Sequence, residues 1–352
     1  MYSGNTPSRL NKEHFKGTVN WISSGELKEH YIYSSKEQIS EEAAKSLKLL
    51  PVGTFVIAIY GLEAEGVRGT GSIIQEPSTI SQACMSFIPK GVIENEFLYS
   101  WYKKHGNVIG IRYAQGTKQQ NLSYDILEKF RIAYPNTKEQ EKLNKFISLL
   151  DERISTQSKI IEDLKRLKSA ISKKLLCNDK WTTYKIQDIA EIGRGRVISS
   201  VEIDRQKHPL YPVYSSQTSN DGIMGYLDNY MFDGEYITWT TDGANAGTVF
   251  YRKGKFNCTN VCGTLKIQPK FDCYFVSLVL QQATQKYVSS NLANPKLMNN
   301  TMASIKIRMP NIETQKQLSK VFQALDGCLL IHQRTCEMYL KEKQYLLRQM
   351  FI

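Results

Sequence analysis

From Leu143 onward the apolar positions step by four and three: Leu143, Ile147, Leu150, Ile154, then polar Gln157, then Ile161, Leu164, Lys168, Ile171 and Leu175. The same rhythm returns 175 positions later as Leu318, Phe322, Leu325, Leu329, His332, Cys336, Tyr339, Lys343, Leu346 and Met350. Alternating steps of four and three make a heptad seam, which predicts two long helices packed on each other along their length. Both copies turn polar at the same two steps, Gln157 and His332, then Lys168 and Lys343. His332 is read as a polar residue tolerated on the seam. Pro135 and Pro310 stand just ahead of the runs, with Asn136 and Asn311 as caps. The helices are expected over 135–177 and 310–352, roughly 60 Å each at ~1.5 Å per residue.

Before each helix lies a module of another texture, 1–134 and 178–309. Short β-type runs such as "GTFVIAIYG" (53–61) and "GEYITWTTDGANAGTVFYR" (234–252) are broken by Gly, Asn, Asp and Ser turns. The modules also end alike, "NLSYDILEKFRIAYP" (121–135) against "KLMNNTMASIKIRMP" (296–310), with Leu122 and Leu297, and Ile132 and Ile307, at the same offset of 175. The repeat unit is therefore a module plus its helix, an α+β chain with two mixed α/β modules of β-rich core. Elsewhere the modules match only in outline: "YPVYSSQTSNDGIMGY" (211–226) has no recognisable partner in the first half. The second module opens with a lead, "WTTYKIQDIAEIG" (181–193), that the first lacks, so a shortened first module is expected.

Composition narrows the class. The chain has 352 residues, 41% hydrophobic and 23% charged, with a formal net charge of +12. That excess of Lys and Arg calls for a polyanion, nucleic acid before membrane. Seven cysteines sit in apolar patterns and read as reduced core thiols. Cys258, Cys262 and Cys273 are spaced loosely like metal ligands, but no fourth Cys or paired His joins them, so no metal is expected. With no leader-like start and no bilayer-length apolar run, a cytoplasmic location is expected.

Catalysis has no visible seat. There is no GxxxxGK[ST] phosphate loop and no Asp/Asn-Pro-Pro-aromatic stretch. "GRGR" (193–196) reads as a turn with two exposed arginines, Arg194 and Arg196, and "EDLK" (162–165) as a solvated helix face. What the chain does offer is side chains able to read base edges, on glycine-punctuated loops. In the second module these are Tyr214, Ser215, Ser216, Gln217, Thr218, Ser219, Asn220 and Asp221, then Asp242 and Asn245; in the first, Thr6, Ser8, Arg9, Tyr60, Arg68, Lys118 and Gln119.

The opening "GNTPSR" (4–9), the run "YPVYSSQ…GIMGY…FDGEYITWTTDGANAGTVFYRKGKF", both "P-N-x-x-x-Q-x-x-L" helix openings and the order module, helix, module, helix resemble the specificity subunit of type I restriction–modification systems. The resemblance covers nearly the whole chain. It implies two target recognition domains on antiparallel spacer helices, with pseudo-twofold symmetry, reading two half-sites of double-stranded DNA across unread base pairs. It further implies no catalysis and no cofactor on this chain. Two methyltransferase subunits and the motor–nuclease restriction subunits would be the partners, holding S-adenosylmethionine, ATP and Mg. Two other readings stay open from the residues alone: a self-contained DNA nuclease or methyltransferase, and a coiled-coil scaffold without DNA.

Overall fold

Apolar runs long enough to be buried on both faces form the sheet centres. Phe55–Ala58 is apolar throughout and buried at every residue, and its neighbour Gly71–Ile74 is buried too because the Ser72 hydroxyl is satisfied by the Glu29 carbonyl at 2.6 Å. The structure is a computed structural model that describes residues 1–64, 66–89, 91–176, 178–289 and 294–351. It divides into two compact units, one of residues 1–158 with 334–352, the other of residues 159–333. Each unit holds one module and half of each long helix, so the units cut across the four-part division drawn from the sequence.

In the first unit a five-stranded sheet runs Tyr2–Ser3, Cys84–Phe87, Phe55–Ala58, Gly71–Ile74, Tyr31–Ile32. Its neighbour has three strands, Gln38–Ile39, Val19–Ile22 and Ser78–Ile80, the first pair antiparallel and the second parallel. The second unit repeats the plan. Its larger sheet runs Ala190–Arg194, Cys262–Ile267, Glu235–Thr240, Val249–Lys253. Its smaller one runs Ile223–Leu227, Tyr211–Tyr214, Asn257–Cys258, again antiparallel then parallel. The stretch 211–226 thus does have a counterpart, the strands around Val19–Ile22. Pairings that link residues more than 40 positions apart, such as Val213 with Asn257, leave no local pattern to find. Gly4 and Gly195 confirm the equivalence, because each passes so close to the small sheet that a Cβ would stand 2.2 or 2.1 Å from a backbone oxygen, of Ile80 or Cys258.

Four helices matter to the rest: α1 (Asn95–Tyr113), α2 (Thr137–Leu175), α3 (Cys273–Ala283) and α4 (Ile312–Met350). Asn136 accepts from the Glu139 N–H at 3.1 Å and Asn311 from the Thr314 N–H at 2.9 Å, caps worth about 1 kcal/mol each. Along the seam every predicted position is buried or half-buried except Leu175, which is 36% exposed. The chain direction is antiparallel within the first unit, where Asp151, Arg153 and Ser158 of α2 meet Lys343, Tyr339 and Cys336 of α4.

The repeated polar residues turn out to be joints. The Gln140 Nε2 donates to the Pro135 and Val92 carbonyls, 2.9 Å each, and its Oε1 accepts the Glu94 N–H at the start of α1, 2.9 Å. Gln315 does the same in the second unit, donating to Pro310 at 2.8 Å and accepting from the Asp272 N–H at the start of α3, 3.0 Å. Asn144 then donates to Glu94, as Ser319 does to Asp272. Lys168 pairs with Asp326, and Lys343 with Asp151, so the seam's two lysine steps are equivalent ion pairs. Each partly enclosed lysine thus has a carboxylate partner, and lysine and aspartate recur together in both copies.

Besides the extra edge strand Tyr31–Ile32 of the first unit, the module ends are unequal. Lys306–Met309 pairs with the lead strand Thr182–Lys185, burying Ile307 and Met309. Among the described residues, the matching stretch 131–134 has no strand partner, and Tyr134 is 49% exposed. Beside it an apolar cavity of about 500 Å³ is lined by Phe97, Tyr134, Pro135, Leu143 and Met350.

Candidate nucleic-acid interface

The second unit gathers its candidates on two loops. Between Tyr211–Tyr214 and Ile223–Leu227 the register shifts at Val213/Tyr214, and the loop beyond turns left-handed at Asn220 (φ 49°), Asp221 (φ 54°) and Gly222 (φ 81°). Asn and Asp are the side chains that tolerate this region best. Gln217 donates to the Ile223 carbonyl, as does Asn220 at 3.5 Å. Asn245 reaches across from the second loop and donates to the Ser216 carbonyl, 3.3 Å, while Thr259 donates to Ser215 at 3.5 Å. Thr218, Asn220 and Asp221 are exposed at the tip.

Asp242 is the anchor of the second loop. Its Oδ2 accepts from Thr241 at 2.6 Å and Arg194 at 3.5 Å, and its Oδ1 lies 3.6 Å from Lys296. Arg194 also donates to Thr241, 2.9 Å. Arg196 instead pairs with Glu202, Nη1 to Oε2 at 2.9 Å, which raises its pKa and lowers that of Glu202. Each of the two arginines is thereby tied to a carboxylate, Asp242 for Arg194 and Glu202 for Arg196.

Arg252 is the residue the sequence reading missed. It is only 4% exposed, yet it donates to the Asp221 carboxylate at 3.0 Å, the Asp221 carbonyl at 2.8 Å and Thr238 at 3.3 Å. Its guanidinium also lies over Tyr214, 3.6 Å from the ring centroid, and over Phe250 at 4.4 Å. Burial pushes the Tyr214 phenol up, and Arg252 works against that shift. A charged residue in a strand reads as an outward-facing one; the aromatic neighbours in "TVFYRKGKF" were the available hint.

In the first unit the candidates separate into two groups. Tyr60 bridges Asn121, Arg68 donates to Gln120 at 2.9 Å, and Gln115 and Asn121 close a turn through Gly116 that leaves Lys118 and Gln119 exposed at its tip. Thr6, Ser8 and Arg9 have other neighbours. The Thr6 N–H donates to Asn5 and the Ser8 carbonyl receives the Asn11 N–H. Arg9 makes a two-pronged pair with Glu37, 2.8 and 3.0 Å, over Phe15 and Trp21. That pair raises the Arg9 pKa and lowers that of Glu37.

Buried thiols here are packing groups. Burial pushes Cys84 and Cys273 up to about 12. Among the described residues no three His, Cys, Asp or Glu side chains form a metal-holding group, and no helix is long and apolar enough to cross a membrane.

A family model described as type I restriction modification DNA specificity domain matches residues 2–166 and 178–337. The chain is 36% identical over 226 residues to the Mycoplasma pneumoniae protein S.MpnORF201P, which carries a type I specificity subunit name, covering 63% of this chain and 94% of that one. It is 39% identical over 178 residues to the type I restriction enzyme MpnII specificity subunit of the same organism, 50% of this chain and 53% of that one. Its fold is similar to the crystal structure of the S subunit of a type I restriction–modification system from M. genitalium, with a TM-score of 0.69 at 17% identity over 100% of this chain and 93% of that one.

Proposed function

The chain belongs to the family of type I restriction–modification DNA specificity subunits, and from that membership we infer how its parts divide the work. It is the DNA recognition subunit of a type I complex, and the catalytic activities lie in partner subunits. Each module is a target recognition domain. The observation that carries this is a shared sheet plan, joined to each long helix by an equivalent glutamine, Gln140 or Gln315, under loops of different sequence. Two unlike heads call for an asymmetric target of two half-sites separated by unread pairs. The +12 charge supplies phosphate contacts that position without reading sequence.

Two methyltransferase subunits would dock, one per repeat, because each repeat offers an equivalent helix opening to an identical partner. S-adenosylmethionine, ATP and Mg would sit on those partners and on the restriction subunits, in the cytoplasm. The test is a genome-wide map of methylated adenines in a host expressing the chain with its methylating partner, and again without the chain. Loss of one interrupted, asymmetric motif is expected. No difference, with the partner shown active, would remove the recognition role. Replacing Gln217 and Asn220 with Ala should relax one half-site only; equal damage to both would mean these loops do not belong to a single head's reading surface.

A further inference from the structure

We propose that Asp221 is the specificity-determining acceptor of the second head, that it reads an exocyclic amino group on a base, and that buried Arg252 is its positioning residue. The proposal rests on the recognition role above and names what one loop reads.

The geometry starts from an unusual placement. Asp221 sits in a left-handed conformation at the loop tip with its side chain 70% exposed, while its partner Arg252 is almost wholly enclosed. Arg252 holds this one residue at two points, the Oδ2 and the carbonyl, and is itself fixed by Thr238 and two aromatic faces. Gly222 completes the grip, since a Cβ there would stand 3.2 Å from both the Arg252 Nη2 and the Gln217 carbonyl. The Asp221 Oδ1 has no partner among the described residues.

A carboxylate presented to DNA is repelled by phosphates unless a cation neutralises it. Arg252 does so from behind, where it cannot reach a phosphate itself. What faces outward is then a pre-aimed acceptor with no donor of its own. In the major groove an acceptor is satisfied by the amino groups of cytosine N4 and adenine N6, and is opposed by guanine O6 and thymine O4. Arg194 and Arg196 are donors of the opposite preference, each tied to its own carboxylate.

Asp221→Asn makes the test sharp. The amide still offers an oxygen to Arg252, which turns its NH2 toward DNA and replaces an acceptor by a donor. Wild-type full-length chain, Asp221→Asn, Asp221→Ala and Arg252→Lys would each be expressed with the methylating partner and their methylated motifs mapped. At one position of one half-site, wild type should require cytosine or adenine, and the map states which. Asp221→Asn should shift that position toward guanine or thymine, and Asp221→Ala should flatten a preference of roughly 5- to 150-fold. Arg252→Lys should blur the same position while every other position holds. Unchanged motifs in both Asp221 variants, or loss spread evenly over the half-site in both, would overturn the proposal. A wild-type chain that yields no interrupted motif would instead remove the recognition reading beneath it.

Discussion

The two units bury the same socket by different means. Phe97 and Phe275 stand three residues after the equivalent helix starts Glu94 and Asp272, and each lies against another aromatic ring. In the second unit Trp181, just ahead of the lead strand, covers Phe275 with ring centroids 6.0 Å apart. In the first, Phe351 covers Phe97 at 5.0 Å and is itself only 1% exposed. Lys104 donates to the Phe351 carbonyl and fixes the segment. After duplication, then, what persisted is the cavity to be filled and the joint to the long helix. What fills it has changed, and so have the loops that face outward.

The largest break in this comparison should come from Phe351→Ala. Deleting a fully buried aromatic costs about 3–5 kcal/mol, and hydrogen exchange should place the loss in residues 1–158 and 334–351 while residues 159–333 keep their protection. Equal loss in both units would mean that Phe351 is not the cover of one socket. The seam ion pairs give a smaller contrast. Asp151–Lys343 is the more enclosed, with side chains 30% and 21% exposed, against 41% and 25% for Asp326–Lys168. Double-mutant cycles should give roughly 1–2 kcal/mol for the first and about half that for the second, because partial exposure screens both. A larger coupling in the second pair would reverse the ranking.

The smallest effect is a matter of pH. His30 is stacked between Tyr31 and Tyr99, 4.0 Å from each, with Glu96 at 2.9 Å and Asp151 at 3.7 Å. Burial pulls its pKa down, but the two carboxylates outweigh burial and the net shift is upward. Lys103 and Lys343 also face this cluster, and burial pushes Tyr31 up to about 12. A raised histidine contributes stability that is full below about pH 6.5 and lost as pH climbs through the folded value. Asp151 is lowered, burial being outweighed by His30 and Lys343, so its contribution is lost only in acid, below about pH 4. The equivalent Asp326 instead receives the Tyr274 hydroxyl at 2.6 Å. Raising pH from 6 to 8.5 should weaken the first unit more than the second. His30→Gln should abolish the difference in exchange rates, and a difference that survived would assign the sensitivity elsewhere.

The sequence showed the helices best. Their signals are local and periodic, from the Asn136 cap to the lysines on the seam, although the aspartates that pair with those lysines could not be chosen without the fold. The equivalence of the small sheets was invisible, because it rests on parallel pairings between distant segments whose side chains have drifted. Loop composition pointed to Gln217, Asn220 and Asn245, yet it could not distinguish side chains that hold the loops, as Asp242 does, from those left facing outward. Arg252 escaped for a physical reason: its burial is stable only because Asp221, 31 positions upstream, folds back onto it.

The division of the chain has a further meaning during synthesis. The second unit is one continuous stretch, so it holds everything it needs once residue 333 has left the ribosome. The first unit is made early but waits, its socket open, until Arg334 to Phe351 arrive. The head translated first is therefore the one finished last. A nascent chain stalled between those two moments would carry one completed reader and one exposed apolar seat, the species most in need of a chaperone.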